Sequence, residues 1–257
     1  MTRLGMVIDL GRCVGCGACA FACKAENNTR TRQGGQSHNW ADFIMRTEGV
    51  FPNVTHFVMP VLCNHCSEAP CITACPVKPN KAMFKTPEGI TLHDPELCIG
   101  CRQCQEACPY SHEELGASSL NGETYSVISY NEADKSTQPF WEDKTAAIPG
   151  CTSSGADVSA RAGATPPAMT KWTGGDAQPI RTRGVVEKCT FCYHRTINGL
   201  QPACVEVCPS QARIFGDQED AASPIAVLLK KEKSFRLQED KGTKPNVHYI
   251  GKYSVRA

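Results

Sequence analysis

Sixteen of the seventeen cysteines in this 257-residue chain fall into four groups of four, and this arrangement restricts its folding more than any other feature. Each group brings four sulfur atoms into a short stretch, so the chain must fold around whatever those sulfurs bind or cross-link. The groups are Cys13, Cys16, Cys19, Cys23; Cys63, Cys66, Cys71, Cys75; Cys98, Cys101, Cys104, Cys108; and Cys189, Cys192, Cys204, Cys208. We interpret the remaining cysteine, Cys151, as an incidental thiol.

The spacing within the groups favours iron-sulfur clusters. The first and third groups have the pattern C-x2-C-x2-C-x3-C that bacterial two-cluster ferredoxins use, and Pro109 follows the third group. The second and fourth groups are longer variants that end in the same x3-C-P, at Pro76 and Pro209. Because three closely spaced cysteines can surround one face of a cubane, we expect four 4Fe-4S clusters with the sixteen grouped cysteines as ligands.

An internal repeat accompanies the cysteines. Seven residues of the first cysteine region recur 85 positions later in the third. They are Asp9, Cys13, Gly15, Cys16, Cys19, Ala22 and Cys23, which correspond to Asp94, Cys98, Gly100, Cys101, Cys104, Ala107 and Cys108. We predict an α+β fold of duplicated ferredoxin-like units of the bacterial two-cluster type, with short strands, short helices and long loops. The predicted strands are 6–10, 82–85, 90–93 and 212–215, and the last two cysteines of each group are predicted to open a short helix.

The last cysteine of each group is predicted to serve a different cluster from the first three, because it is carried on the helix and points away from them. This crossing is known in two-cluster ferredoxins. We pair the two closest groups, second with third, and the outer groups, first with fourth. The predicted ligand sets are site 1 (Cys13, Cys16, Cys19, Cys208), site 2 (Cys23, Cys189, Cys192, Cys204), site 3 (Cys63, Cys66, Cys71, Cys108) and site 4 (Cys75, Cys98, Cys101, Cys104).

Other uses of these cysteines fit less well. A zinc ribbon needs two separated pairs around one ion and gives no reason for a third cysteine two residues later. Disulfides are disfavoured by the crowding of a C-x2-C-x2-C loop. A Rieske centre needs histidine ligands, but His65 and His194 accompany groups that already have four cysteines. We expect both histidines to pack or hydrogen-bond beside the clusters.

Basic residues adjoin the cysteine groups at Lys24, Lys78, Arg102, Lys188 and Arg195. A positive charge beside a cluster stabilises its more negative reduced state and raises its reduction potential. Basic residues are also ordinary components of a solvated surface. The sequence leaves these two interpretations open.

The rest of the chain argues against catalysis, nucleic-acid binding and a membrane span. The 27 Lys and Arg residues nearly balance the 26 Asp and Glu residues, which gives no basic field for nucleic acid. The aliphatic run 225–229 is far shorter than a membrane-spanning helix. No phosphate-binding loop, nucleophile motif, or flavin or nicotinamide fingerprint occurs. We predict a non-catalytic chain that relays single electrons between partners.

The predicted domains follow the pairing of the groups. They are a first unit of 1–60 with 180–217, a second unit of 61–110, an insertion of 111–179, and a C-terminal helix with an extended tail at 218–257. Between Cys108 and Cys189, the stretch 145–184 is rich in small and polar residues and predicts irregular loop. Aromatic residues between the same two cysteines favour contact with a partner: Tyr125, Tyr130, Phe140, Trp141 and Trp172. From Ser223 onward we predict a capped, proline-started amphipathic helix that packs onto the cluster core.

The order of the four groups resembles the iron-sulfur subunits of the dimethyl sulfoxide reductase family of molybdopterin oxidoreductases, over nearly the whole chain. Within that family the chain is most similar to subunits of respiratory arsenate reductases and arsenite oxidases. Polysulfide, tetrathionate and dimethyl sulfoxide reductase subunits are close alternatives, and a free-standing polyferredoxin is another. The residues that carry the resemblance lie in 6–27, 62–75, 187–195, 202–212 and 242–250.

The resemblance implies two partners: a large molybdopterin catalytic subunit, and a quinone-linked membrane anchor subunit or a cytochrome. It also implies a role in anaerobic respiration. Because the chain shows no leader of its own, we expect export to the periplasm as a folded complex with the catalytic subunit, with a cytoplasmic location as the alternative.

Overall fold

The computed structural model describes residues 2–27, 29, 40–111, 126–134, 142–146, 148–163 and 182–252. It combines short helices with short strands. The strands are β1 (Leu4–Asp9), β2 (Ala41–Val50), β3 (Asn53–Leu62), β4 (Met83–Lys85), β5 (Thr91–His93), β6 (Ile128–Tyr130), β7 (Val186–Lys188), β8 (Arg213–Asp217), β9 (Ser234–Phe235) and β10 (Val247–Ile250). The α-helices are α1 (Ala18–Asn27), α2 (Pro70–Ala74), α3 (Gln103–Glu106), α4 (Gly155–Ala162), α5 (Tyr193–Thr196), α6 (Ala203–Glu206) and α7 (Pro224–Lys231).

A four-stranded sheet in the order β8-β1-β10-β9 joins the beginning of the chain to its end. Met6 of β1 lies opposite Phe215 of antiparallel β8 and opposite Val247 of parallel β10. Because side chains alternate across a strand, Met6 and Ile8 enter the main core with the cysteines, whereas Val7 points to the other face. The sheet thus forms one wall of the cysteine-rich core.

One of the two short ladders outside the main sheet matches predicted strands. Strands β4 and β5 pair as a hairpin with Met83 opposite His93, in agreement with the predicted strands 82–85 and 90–93. The predicted strands 6–10 and 212–215 correspond to β1 and β8, with ends displaced by one or two residues. The other short ladder also has three residue pairs. It joins β6 to β7, which were not predicted, with Ser129 opposite Glu187.

Strands β2 and β3 form a long hairpin that has no counterpart among the predicted elements. They pair from Ala41 opposite Leu62 to Val50 opposite Asn53. The base of the hairpin is buried in the core, whereas Phe51 at its tip is 88% exposed. The predicted domain boundary between residues 60 and 61 falls inside β3, so this strand passes from one predicted unit into the next.

The prediction of irregular loop over 145–184 is wrong for part of that segment. Helix α4 forms there because the Ser154 hydroxyl accepts a hydrogen bond from the Asp157 amide and the Asp157 carboxylate accepts one from the Ser154 amide. Gly163 ends the helix in the left-handed conformation. Strand β6, which contains Tyr130, also lies in the predicted insertion. The predicted contact residues Tyr125, Phe140, Trp141 and Trp172 lie outside the described residues.

The predicted helix after Ser223 is confirmed as α7, which starts at Pro224. Two details of the prediction are wrong. The Ser223 side chain makes no capping hydrogen bond. The helix packs on the face of the sheet opposite the cysteines, where Ile225 meets Val7 and Ile250, rather than on the cysteine-rich core. The segment after the helix contains β10, which lies inside the first sheet. No helix in the described part of the chain is long and apolar enough to cross a membrane.

Candidate metal centres

The cysteines of site 1 surround one cavity. Its lining includes Cys13, Cys16 and Cys19 from the N-terminal loop and Cys208 from the far end of the sequence. Sheet pairing accounts for this meeting, because β1 leads into the first cysteine group and its neighbour β8 follows the fourth. The walls also contain the base of the β2–β3 hairpin, through Phe43 and Pro60, and the side chain of Arg213.

Site 4 is arranged in the same way. Cys98, Cys101 and Cys104 line a cavity together with Cys75, which belongs to the preceding group. Helices α2 and α3 pack against each other and bring the two groups together.

The cysteines of sites 2 and 3 are all buried. Burial and the neighbouring Cys204 together raise the pKa of the Cys192 thiol to about 12. Burial likewise raises the pKa of Cys23, with added contributions from Cys192 and Cys204. These effects place cysteines of the first and fourth groups together at site 2.

Site 3 gathers cysteines of the second and third groups. Burial raises the pKa of Cys108, and Cys63 and Cys71 add to the shift. Burial raises the pKa of Cys66 to about 12, with Cys63 as its strongest cysteine neighbour. The structure thus gathers the sixteen cysteines into the four sets of the crossed pairing, while ligation of one cluster by each set stays a prediction.

The four sites form a series in the order 1, 2, 3, 4. Cys19 of site 1 raises the pKa of Cys204 of site 2, second to burial among the upward effects. Cys63 of site 3 raises the pKa of Cys189 of site 2, after burial and Cys23. Cys71 of site 3 raises the pKa of Cys104 of site 4, second to burial. Of the sixteen grouped cysteines, the exposed or half-exposed ones all belong to the end sites: Cys13, Cys16, Cys19 and Cys208 of site 1, and Cys98 and Cys101 of site 4.

Short helices separate neighbouring sites. In each group the third and fourth cysteines are separated by four positions. A helical chain makes about one turn over this distance, so the two side chains lie on the same side of it. Cys19 and Cys23 both lie within α1, whereas in the other three groups the fourth cysteine lies one or two residues beyond the helix that holds the third. One helix therefore supplies sulfurs to two sites.

The loop between the first two cysteines has a shared conformation in all four groups. The residue two positions after the first cysteine has a positive φ: 67° at Gly15, 44° at His65, 69° at Gly100 and 52° at Phe191. This turn directs backbone amides at sulfur, since Gly100 N lies 3.4 Å from Cys98 Sγ and Phe191 N lies 3.4 Å from Cys189 Sγ. Glycine accepts this conformation readily, whereas His65 and Phe191 adopt it at an energetic cost.

Two family profiles match the chain. That of a 4Fe-4S dicluster domain matches residues 54–121 and 178–218, and that of a 4Fe-4S binding domain matches residues 4–25. The matched stretches contain all sixteen grouped cysteines.

Relatives extend the match over the full length. The arsenate respiratory reductase iron-sulfur subunit ArrB of Shewanella sp. strain ANA-3 is 42% identical over 99% of this chain and 98% of its own length. A tetrathionate reductase subunit of Salmonella typhimurium is 32% identical over 97% of this chain and 72% of its own length. A selenate reductase subunit of Mesobacillus selenatarsenatis is 32% identical over 95% of this chain and 70% of its own length.

The chain belongs to the iron-sulfur subunits of the dimethyl sulfoxide reductase family. It is an electron-transfer subunit of a reductase complex, not the catalytic one, and it holds four 4Fe-4S clusters. These conclusions confirm the predictions of electron transfer, cofactor type and family.

The donor chemistry of the subunit fits such clusters. Burial, together with Cys71 and Cys98, raises the pKa of Cys104 to about 12. Thiolates packed this closely need positive charge to compensate them, and iron provides it. In the described part of the chain, no three Cys, His, Asp or Glu side chains have the geometry of a single-ion site.

The two predicted histidines have different surroundings, and neither is needed to complete a cysteine set. His65 is fully buried and stacks on Phe191 between sites 3 and 2. His194 Nε2 lies 2.7 Å from Glu26 Oε1, and Arg195 Nη1 donates to the other oxygen of the same carboxylate at 3.1 Å.

Among the predicted basic residues, Lys188 is the one that lies in the core. It is fully buried and its Nζ donates to the backbone oxygens of Thr91 and Cys189. Arg102 stacks over Tyr130 at 5.0 Å, and Lys24 Nζ donates to Thr29 O at 3.2 Å. The structure thus separates one internal cation from basic residues nearer the surface.

Sequence reasoning missed several residues around the sites. Asn27 Nδ2 lies 3.5 Å from Cys23 Sγ and 4.0 Å from Cys192 Sγ, both in site 2. Tyr110, beside site 3, hydrogen-bonds Thr243 at 2.7 Å. Arg213 lines site 1 from within a predicted strand. A buried arginine in an apolar strand is the one signal that could have drawn attention to it.

Proposed function

We propose that sites 1 to 4 each ligate one 4Fe-4S cluster through the crossed cysteine sets, and that the series carries electrons from one end of the subunit to the other. The observation that carries the proposal is the linear order of the sites, with exposed cysteines confined to sites 1 and 4 among the sixteen. When bound, these clusters accept and release single electrons. The protein excludes water from sites 2 and 3 and leaves the two end sites accessible to partners.

The partners we propose are a molybdopterin catalytic subunit at one end and a quinone-linked membrane protein or a cytochrome at the other. Arsenate reduction or arsenite oxidation is the substrate chemistry we favour, because the relative at 42% identity over its whole length is an arsenate respiratory reductase subunit. Isolation of the native complex, metal analysis and assays with arsenate and arsenite test this. Activity with tetrathionate or dimethyl sulfoxide, and none with either arsenic compound, would overturn the substrate proposal while leaving the electron-transfer role intact.

We propose that the two ferredoxin-like units arose by duplication of one unit. The 85-residue offset relates equivalent turns: Asp9 Oδ1 accepts from Gly11 N at 2.9 Å, and Asp94 Oδ1 accepts from Glu96 N at 2.8 Å. Gly15 and Gly100 share the same positive φ. Superposition of residues 9–23 on 94–108 in an experimental structure tests the relation, since unrelated loops would not align over the backbone between the aspartate and the last cysteine.

The insertion 111–179 is proposed as a contact surface for a partner subunit. Its described part exposes Ile148 and Val158, apolar side chains that a partner would cover. Hydrogen exchange of residues 148–163 in the isolated subunit and in the complex tests the contact, which predicts slower exchange in the complex.

For location, we propose the periplasm, reached as a folded complex with the catalytic subunit. Protease treatment of intact spheroplasts tests this: digestion of the subunit is expected, and complete protection would favour the cytoplasm.

A further inference from the structure

Arg213 occupies an unusual position for an arginine. It lies on β8 opposite Ile8 of β1, and the residue is only 3% exposed. Its side chain forms part of the wall of site 1 together with Cys19. A buried guanidinium is costly unless negative groups compensate it, so its neighbours explain why it is there.

Those neighbours are cysteines from two different sites. Cys19 of site 1 lines the same cavity as Arg213, and helix α6, which holds Cys204 of site 2, packs against β8. Negative charge on either sulfur favours the charged form of the guanidinium. Its charge also acts on Cys13 of site 1 and Cys23 of site 2 and favours the thiolate form of each. One guanidinium is therefore shared between the first two sites of the series.

The other contacts of the Arg213 guanidinium leave N–H groups that can donate to cysteine sulfur. Nη1 lies 3.7 Å from the Met6 sulfur, which is a weak acceptor. Nη2 is buried and has no hydrogen-bond acceptor among the described residues. Burial opposes the charged form of Arg213, while Cys19, Cys204 and the Tyr249 phenol raise its pKa above the usual value, so the positive charge is retained.

We propose that Arg213 is a shared positioning residue for the first two clusters, whose guanidinium holds sulfur ligands of both sites and raises both reduction potentials together. The proposal rests on the ligand sets assigned above to sites 1 and 2. A reduced cluster carries one more negative charge than an oxidised one, and a fixed cation nearby in a water-excluded core stabilises the reduced form. Because the cation lies beside both sites, its removal should lower the reduction potentials of both clusters.

The connection between sites 2 and 3 is different. There the uncharged stack of His65 and Phe191 lies between the loops. The buried cation near site 3 is Lys188, whose charge acts on Cys71. Arg213 and Lys188 thus lie near different sites, so a variant of either residue is a control for a variant of the other.

Redox titrations of the cluster-loaded subunit in its complex, followed by electron paramagnetic resonance, test the proposal. Arg213→Gln and Arg213→Met remove the charge, and Arg213→Lys keeps it. Lys188→Met removes the other buried cation, and Arg236→Met removes an exposed guanidinium. Cys16→Ser and Cys192→Ser identify the signals of clusters 1 and 2. Iron and sulfide contents are measured for every variant before titration.

At an ambient potential equal to the wild-type midpoint, Arg213→Gln should raise the oxidised-to-reduced ratio at least tenfold for clusters 1 and 2, about 59 mV for a one-electron couple. Arg213→Lys should restore most of this change, and Lys188→Met should shift the cluster at site 3 instead. Equal shifts in the Gln and Lys variants, or an equal shift in all four clusters, would overturn the proposal.

Should Arg213→Met lose iron, the comparison of Gln with Lys still decides the outcome. If both of these variants also lost the two clusters, the charge-based proposal would be rejected in favour of a purely structural role. A wild-type protein with fewer than four clusters would instead contradict the proposed function. The two failures are therefore distinguishable.

Discussion

The imidazole of His65 stacks on the ring of Phe191 with the centroids 3.8 Å apart and the planes inclined by 26°. Phe215 meets Phe191 edge-on at 5.2 Å. His65 belongs to the loop of site 3 and Phe191 to the loop of site 2. The stack therefore connects sites 2 and 3, whose cysteines are not joined by a shared helix. Burial and the nearby Lys188 hold the pKa of His65 well below its usual range, which keeps the ring neutral.

Truncating either side chain should weaken the packing between the loops of sites 2 and 3. Phe191→Ala should lower the free energy of unfolding by about 3–5 kcal/mol, because it leaves a cavity between the sites. His65→Phe keeps a stacked ring and should cost less than about 1.5 kcal/mol. Thermal loss of the visible cluster absorbance measures the effect. Equal losses in His65→Phe and His65→Ala would show that the stack does not hold the junction.

Replacement of Cys75 by Ser should damage the cluster held by Cys98, Cys101 and Cys104, not the one held by the three cysteines before it in its own group. The reason is that Cys75 lines the cavity of site 4. Electron paramagnetic resonance and iron content of the variant measure the loss. Cys71→Ser is the matched comparison and should damage site 3.

Cys151→Ser is the control for these cysteine variants, because Cys151 is exposed and lies outside the four sets. Its iron content and spectra should equal those of the wild type. Loss of the site 3 signal alone in Cys75→Ser would refute the crossed pairing.

Lowering the pH should reduce the free energy of unfolding through protonation of His248 of β10. Burial, together with Arg236 and Arg3, lowers the pKa of His248 from 6.5 to about 4, despite Glu239 acting in the opposite direction. The unfolded chain therefore binds a proton that the folded chain does not. The stability contribution is fully present above pH 6.5 and is lost as the pH falls from 6.5 toward 4, by at most about 3 kcal/mol.

The comparison of wild type with His248→Gln isolates this effect from acid damage to the clusters. Thermal midpoints measured from pH 8 to pH 5 should fall more steeply for the wild type. Parallel curves for the two proteins would remove His248 as the cause.

Asn246 is buried and bonds the loop of site 3, so its replacement should lower the free energy of unfolding. Its Nδ2 donates to His65 O at 2.7 Å, and its Oδ1 accepts from Gln218 at 3.0 Å. Asn246→Ala leaves the buried carbonyl of His65 without this donor, so it should cost about 1–3 kcal/mol.

Two residues away, Lys244 provides the control. It forms an exposed ion pair with Glu68 at 3.3 Å, and Lys244→Ala should change stability by less than about 1 kcal/mol. Chemical unfolding of the two variants under identical conditions tests the contrast. Similar effects at both positions would contradict it.

Some elements were readable from local sequence because local chemistry decides them. The strands before the first and third cysteine groups, the 83–93 hairpin and the proline-started helix α7 each have a hydrophobic pattern and a turn or start signal within a few residues. Helix α4 was missed although Ser154 and Asp157 form a capping box, since the composition around them is that of a loop. The β2–β3 hairpin was missed because its outer half is exposed and lacks a simple apolar alternation.

The sequence by itself determined the number of cysteine groups and the type of cluster, because cubane ligation imposes a spacing that is visible in the chain, and it predicts the crossed ligand sets. Only the tertiary structure decided which sites lie at the ends of the series, that Arg213 lines site 1 beside Cys19, and that His65 meets Phe191. The last two relationships join residues more than a hundred positions apart. They depend on which strands pair and which faces become buried, and no local pattern encodes that.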